Sequence, residues 1–184
     1  KQLSDVTRAD AILATNTSSI SVTEIATVVK NPERMVGMHF FNPVPVIKLV
    51  EIIKGLATPD AVMAASREFA LSVGKEPITC PDTPAFVVNK LLIPYLLDAV
   101  RMVQDGIATP EDVDKAMVNG WGYPMGPITL PDYVGLDTTL HAADVMYAEF
   151  RETKYAAPVL LRRMVQAGRW GRKSGQGFYP YDKK

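Results

Sequence analysis

The sequence predicts an α/β layer followed by an all-helical half, on two changes of periodicity and one break. In the first part of this 184-residue chain, short apolar runs alternate with helical patterns. Then PDTPAF (81–86) sets two prolines in four residues with little periodicity, and marks a linker over 82–87. Beyond it the pattern is helical almost to the end. Domains are therefore expected at 1–81 and 88–184.

The elements follow in order. AILAT (11–15) is a short apolar run and predicts a buried strand. NTSSISVTEIATVVK follows, where Ser21 or Thr23 caps a short helix over 24–29. RMVGMHF (34–40) is bounded by NPE and FNPVP, and VIKLVEII (46–53) is β-branched and continuous; both predict strands. TPDAVMAASREFALSVG (58–74) has a Thr cap, Pro at the first helical position and a terminal Gly, which is a helix signature. EPITC (76–80) predicts a strand. The long run 86–106 is apolar on most faces, so it is a buried helix or one shared with a second subunit, kinked at Pro94. Thr109 with Pro110 starts a helix over 109–120, a Gly/Pro-rich loop with a helical turn covers 122–135, and amphipathic helices are expected at 136–150 and 158–168. There is no internal repeat.

Composition narrows the function classes. Lys plus Arg equals Asp plus Glu, 20 each, so no charge excess points to nucleic acid or anionic lipid. Arg169, Arg172 and Lys173 form a short basic cluster of the kind that solvates a surface. No apolar run reaches the ~18 residues that span a bilayer. One cysteine, Cys80, excludes an internal disulfide and a multi-cysteine zinc site, and suits a reducing compartment; a cytoplasmic location is expected. With two histidines far apart and no H-E-x-x-H, no metal site is expected.

The candidate chemistry lies in HFFNPVPVIKLVE (39–51). If the flanking strands pair antiparallel around FNPVP, the midpoint of His39 and Glu51 is Pro45, inside the loop. A hairpin centred there sets the two residues opposite, with β-carbons about 5 Å apart. The imidazole then donates one N–H to the carboxylate, which fixes the tautomer and leaves the other nitrogen free as a general base. The alternative is an ordinary strand-end histidine beside a rim carboxylate. A carboxylate inside VIKLVEII, however, needs a partner. His141, mid-helix in TLHAADVM, reads as a surface or core histidine. Asn16, Thr17, Ser18 and Ser19 follow the first strand directly, where open α/β sheets bind ligands; they form either a substrate-binding cluster or a plain Ser/Thr turn. Asn89, on an apolar helix face, is either a packing hydrogen bond or a site residue.

Taken together, NTSS (16–19), HFFNPVPVIKLVE, DTPAFVVNKLL (82–92), GYPMGPITLPDYVGLDT (122–138) and GRKSGQGFYPY (171–181) resemble the L-3-hydroxyacyl-CoA dehydrogenase family, nearest to its bacterial 3-hydroxybutyryl-CoA type. The resemblance covers essentially the whole chain in order. It implies that the first half is the C-terminal part of a Rossmann-type NAD-binding domain and the second an all-α dimerisation domain. It implies NAD-dependent oxidation of the 3-hydroxyl of an acyl-CoA, with His39 as base and Glu51 as its orienting carboxylate. Ser18, Asn42 and Asn89 would contact the substrate, and Asn16, Ser18 and Lys173 the cofactor. A homodimer would form through the helical half. The chain departs from the family in having no G-x-G-x-x-G fingerprint. On that ground it is expected to be an N-terminally truncated remnant that lacks most of the NAD site and turns over little, or else to serve as an inactive helical interaction module.

Overall fold

The computed structural model describes residues 1–182. The chain folds as two units, Lys1–Asn89 and Lys90–Lys184. The first holds helix α1 (Gln2–Val6), strand β1 (Leu13–Thr15), helix α2 (Val22–Ala26), strands β2 (Met35–Phe40) and β3 (Leu49–Lys54), helix α3 (Asp60–Ser72) and strand β4 (Glu76–Pro81). Helix α4 (Val88–Gln104) starts in the first unit and continues in the second. There it is followed by α5 (Pro110–Trp121), α6 (Thr129–Val134), α7 (Leu136–Phe150) and α8 (Val159–Gln166).

The sheet has the order β1-β2-β3-β4. β1 and β2 are parallel, β2 and β3 antiparallel, β3 and β4 parallel. Alternation along the strands sends side chains to two faces. On one face Val36, Met38, Val50 and Ile52 pack with Ala70 of α3. On the other Met35, Ile53 and Cys80 pack with Val22 and Ala26 of α2 and with Phe86. Ile52 and Ile53 have no exposed surface, and each such burial stabilises by roughly 1.5–3 kcal/mol. Gly37 permits the second layer: a Cβ there would stand 2.8 Å from both Ile53 and Val22. β1 lies at the sheet edge and is only half covered, so the buried strand expected over 11–15 is shorter and more exposed than its composition suggests.

Local signals explain most element ends. Ser21 caps α2 by accepting from the Glu24 N–H at 3.1 Å. Thr109 caps α5 by accepting from Asp112 N–H at 3.1 Å, with Pro110 as the first helical residue. Gly74 at φ +75° closes the end of α3. Thr58 departs from expectation. Helix α3 begins one residue later, after Pro59, and the Thr58 hydroxyl is buried, donating to Met35 O at 2.6 Å. A strand-end carbonyl in the core takes the donor that the helix would have used. α4 also starts later than its apolar pattern, because residues 83–87 form a tight turn, and it runs as one helix through Pro94.

In the second unit Leu136, Met146, Leu161 and Tyr155 are fully buried or nearly so, and the Phe150 and Tyr155 rings lie 5.2 Å apart. Two aspartates fasten the aromatic tail. Asp132 accepts from the amides of Phe178 (3.1 Å) and Tyr179 (3.0 Å) and from the Tyr181 hydroxyl (3.1 Å). Asp114 accepts from the Ile128 amide (2.7 Å) and the Tyr179 hydroxyl (2.9 Å). Burial first, then hydrogen bonding to Asp114, raises the Tyr179 phenol far above its ordinary range; burial, then the Asp132 charge, takes Tyr181 up to about 12. Arg169, Arg172 and Lys173 are all exposed, with Arg172 over the rings of Tyr133 and Tyr181.

Candidate active site

The β2–β3 register pairs Gly37 with Ile53 and His39 with Glu51, as the midpoint at Pro45 predicts. Both side chains leave the same face of the sheet, and the His39 Nδ1 lies 2.7 Å from Glu51 Oε2. A carboxylate only accepts hydrogen bonds, so the proton of the neutral ring sits on Nδ1 and Nε2 carries the lone pair. Nε2 lies 3.0 Å from Ser18 Oγ, whose hydroxyl therefore donates to it.

Glu51 is fully buried, and its second oxygen is satisfied by backbone. Oε1 accepts from the amides of Val87 (3.0 Å) and Val88 (2.9 Å), at the start of α4. Those amides face the carboxylate because Ala85 and Phe86 both adopt left-handed conformations, φ +66° and +53°. Neither is glycine, and such conformations cost of order 1–3 kcal/mol each where the surroundings hold them. Two amides and the imidazole thus hold one carboxylate.

Aromatic rings wall the histidine. Phe41 and Phe86 have ring centroids 4.5 and 5.5 Å from that of His39, both tilted. The imidazole is 4% exposed, so bulk water reaches little of the ring. Cys80 is no rival nucleophile. Burial first, then the charges of Glu51 and Asp82, pushes its thiol up to about 11.

The other anticipated residues are placed as follows. Asn16 Oδ1 accepts from the Phe40 amide at 2.8 Å, tying the end of β1 to the end of β2. Thr17 Oγ1 accepts from Ile20 N–H at 2.8 Å and makes the Ser/Thr turn, while Ser18 next to it faces the imidazole. Asn42 is exposed on the loop and precedes a cis peptide bond to Pro43. Asn89 is half-buried in the first turn of α4. Among the described residues neither amide side chain hydrogen-bonds His39 or Ser18. Lys173 lies in the second unit, paired with Asp137 and 5.9 Å from the Trp170 ring centroid. His141 is exposed on α7. No cluster of three or more metal-binding side chains occurs among the described residues, and none of the helices described is long and apolar enough to cross a membrane.

Sequence reasoning missed the amides of Val87 and Val88, the ring of Phe86, and Asp82. The Asp82 carboxylate accepts from the Ser21 hydroxyl (2.7 Å), the Val22 amide (3.1 Å) and the Thr23 amide (2.7 Å). Burial pushes this carboxyl up, but the Ser21, Thr23 and Val22 hydrogen bonds outweigh it and hold it below its ordinary range. An aspartate between prolines is a capping signal, although nothing local says that the helix it caps lies 60 residues earlier.

The pair has the parts of a general base: a nitrogen lone pair facing a hydroxyl, a fixed tautomer, and a buried negative charge to balance the proton the ring takes. Comparison with known proteins gives the family. The family described as "3-hydroxyacyl-CoA dehydrogenase, NAD binding domain" matches residues 1–83, and "3-hydroxyacyl-CoA dehydrogenase, C-terminal domain" matches residues 86–181. A 3-hydroxybutyryl-CoA dehydrogenase of Mycobacterium tuberculosis is 55% identical over 177 residues, 96% of this chain and 62% of that protein. One from Clostridioides difficile is 48% identical over 183 residues, 100% of this chain and 65% of that protein. The crystal structure of (S)-3-hydroxybutyryl-CoA dehydrogenase PaaH1 from Ralstonia eutropha superposes with a TM-score of 0.97 at 46% identity, over 100% of this chain and 65% of that one. The chain thus spans somewhat less than two thirds of the length of these relatives. The matches do not bear out the expected truncation, since the NAD-binding description itself covers residues 1–83. With both halves matched in order, the chain belongs to the 3-hydroxyacyl-CoA dehydrogenase family.

Proposed function

We propose that the full-length protein oxidises the 3-hydroxyl of an (S)-3-hydroxyacyl-CoA to the 3-ketone with NAD, and that 3-hydroxybutyryl-CoA is its substrate. The observation that carries this is the buried His39–Glu51 pair with Nε2 presented to a hydroxyl at 3.0 Å. That the similar proteins are 3-hydroxybutyryl-CoA dehydrogenases supports the choice of substrate.

His39 Nε2 accepts the proton of the substrate hydroxyl as the C–H bond at the same carbon breaks. The imidazolium so formed is held between Glu51 on one side and the new ketone oxygen on the other. Ser18, already within hydrogen-bond distance of Nε2, donates to the reacting oxygen and keeps it near the base. Asn42 and Asn89 are proposed to hold the same oxygen and its acyl chain. Phe41 and Phe86 limit water around the ring, so the proton is less readily lost to solvent.

The donor set fits one end of a dinucleotide. Asn16 and Ser18 present an amide and a hydroxyl just past the carboxyl end of β1, the position where open α/β sheets bind ligands. No G-x-G-x-x-G turn occurs in the 184 residues, so a pyrophosphate cradle of that kind is not among them. NAD, when bound, would supply the hydride acceptor. Asn16, Ser18 and Lys173 are the residues proposed to meet it.

A homodimer is part of the same reading, supported by Leu91 and Met102 standing exposed on α4, and its test is the mass of the protein in solution. The test of the activity is NADH formation from (S)-3-hydroxybutyryl-CoA and NAD by the full-length protein. Turnover that falls by roughly a hundred-fold or more in His39→Gln supports the reading; turnover that survives the substitution at the wild-type rate overturns it.

A further inference from the structure

We propose that Asp82 is a positioning residue for this site: its carboxylate ties the segment that carries Ser18 to the segment whose amides hold Glu51. The inference rests on the reading of His39, Ser18 and Glu51 given above.

Two stretches of non-helical chain lie over the His39 face of the sheet. One is residues 16–21, leading into α2; the other is residues 82–87, leading into α4. Their side chains meet in one core cluster, where Val22 and Phe86 pack with Met35, Ile53 and Cys80. Each stretch reaches one member of the pair. The first brings Ser18 Oγ to His39 Nε2, and the second brings the Val87 and Val88 amides to Glu51 Oε1. Few backbone–backbone hydrogen bonds hold either stretch: Ser21 O accepts from Ile25 N–H at 3.2 Å, Phe86 N–H donates to Thr83 O at 3.0 Å, and the Asp82 amide continues the β3–β4 ladder.

Asp82 supplies the join. Its carboxylate takes the Ser21 hydroxyl and the Val22 and Thr23 amides, three to five residues beyond Ser18. Its own amide donates to Lys54 O at 3.0 Å, three residues beyond Glu51 on β3. The strand that carries Glu51, the stretch that carries Ser18 and the turn that leads to Val87 therefore converge on this residue. On its other side the Ser18 stretch is anchored by Asn16, which accepts from Phe40 N–H. Ser18 is thus suspended between two side-chain anchors, and Asp82 is the one that also reaches the Glu51 side.

The test is a double-mutant cycle in the full-length protein, with kcat and KM for (S)-3-hydroxybutyryl-CoA as readouts. Asp82→Ala should lower kcat by about ten- to a hundred-fold while KM moves less than about three-fold, as misplacement of a reacting group does. In a Ser18→Ala background the same change should cost less than about two-fold in kcat, because no Ser18 remains to be misplaced. A residue that only stabilised the fold would instead lower kcat by the same factor in both backgrounds, and that result overturns the proposal. So does an Asp82→Ala protein with kcat within about two-fold of wild type. If Asp82→Ala does not melt cooperatively, Asp82→Asn, with the same shape and one acceptor fewer, runs through the same cycle under the same criteria. Ser18→Ala with unchanged kcat removes the role of Ser18 itself and the proposal with it. Impaired turnover in Ser18→Ala beside normal turnover in the Asp82 variants overturns this inference alone.

Discussion

Among the described residues two carboxylates have no exposed surface: Glu51 on β3 and Asp132 on α6. Each accepts three hydrogen bonds. Asp132 takes two amides and a phenol, all from the tail segment 178–181. Glu51 takes two amides as well, but its third donor is an imidazole. The phenol of Tyr181 has been pushed up to about 12 and only donates to the carboxylate, whereas an imidazole has a second nitrogen that can take a proton from a neighbour. The same device is a staple in one unit and, in the proposed reading, half of a base in the other, and the identity of one donor makes the difference. Burial of a carboxylate is therefore no sign of catalysis until its partners are known.

The comparison breaks most visibly at the base itself. His39→Gln in the full-length protein should lower kcat by roughly 10²–10⁴, the range a general base contributes, with little change in melting temperature. Asp132→Ala should do the reverse. It strands two half-buried amides and a hydroxyl, and should cost roughly 1–3 kcal/mol of stability, read in a denaturant melt. If Asp132→Ala melted like wild type, the tail would be held by something else.

Glu51→Gln is the subtler probe. The amide oxygen can still accept from Val87 and Val88, so the fold should survive. The amide nitrogen then faces Nδ1 and donates to it, which moves the ring proton to Nε2 and blocks the base. A fall in kcat of at least about 10-fold is expected, smaller than for His39→Gln. A reversal of that order would mean that the two roles are wrongly assigned.

The smallest effect separates Asp82 from Asp132 by pH. Asp82 is held below the ordinary 3.8, so its stabilisation is present above that value and is lost as pH falls through 3.8 towards the folded value. Asp132 has the opposite sign: burial first raises it, its hydrogen bonds offset part of that, and stabilisation present below 3.8 is lost as pH rises through the raised value. On acidification, Asp82→Asn should therefore lose less melting temperature than wild type and Asp132→Asn more. Shifts of the same sign in both variants would contradict the difference in their surroundings.

The sequence is legible where chemistry is local. The proline loop announces the β2–β3 hairpin, its midpoint sets the register, and Ser21, Thr109 and Gly74 mark helix ends by their own geometry. It is illegible where a partner lies far along the chain. PDTPAF reads as a linker because it lacks periodicity. Yet Asp82 within it caps a helix 60 residues earlier, and Ala85 and Phe86 turn without the glycine that would announce a left-handed bend. Thr58 has the form of a cap and instead serves a buried carbonyl on β2. Asn16, expected to face the cofactor, has one of its polar atoms already engaged with β2, a contact that no spacing rule supplies.

In the proposed mechanism Glu51 holds the proton of His39 on Nδ1 and leaves Nε2 free for the substrate hydroxyl. The imidazole nitrogen NMR resonances of His39, read at a pH where the ring is neutral, report this directly. They should show a protonated Nδ1 and an unprotonated Nε2 in the wild type, exchanged in Glu51→Gln. A wild-type ring with its proton on Nε2 would contradict the claim.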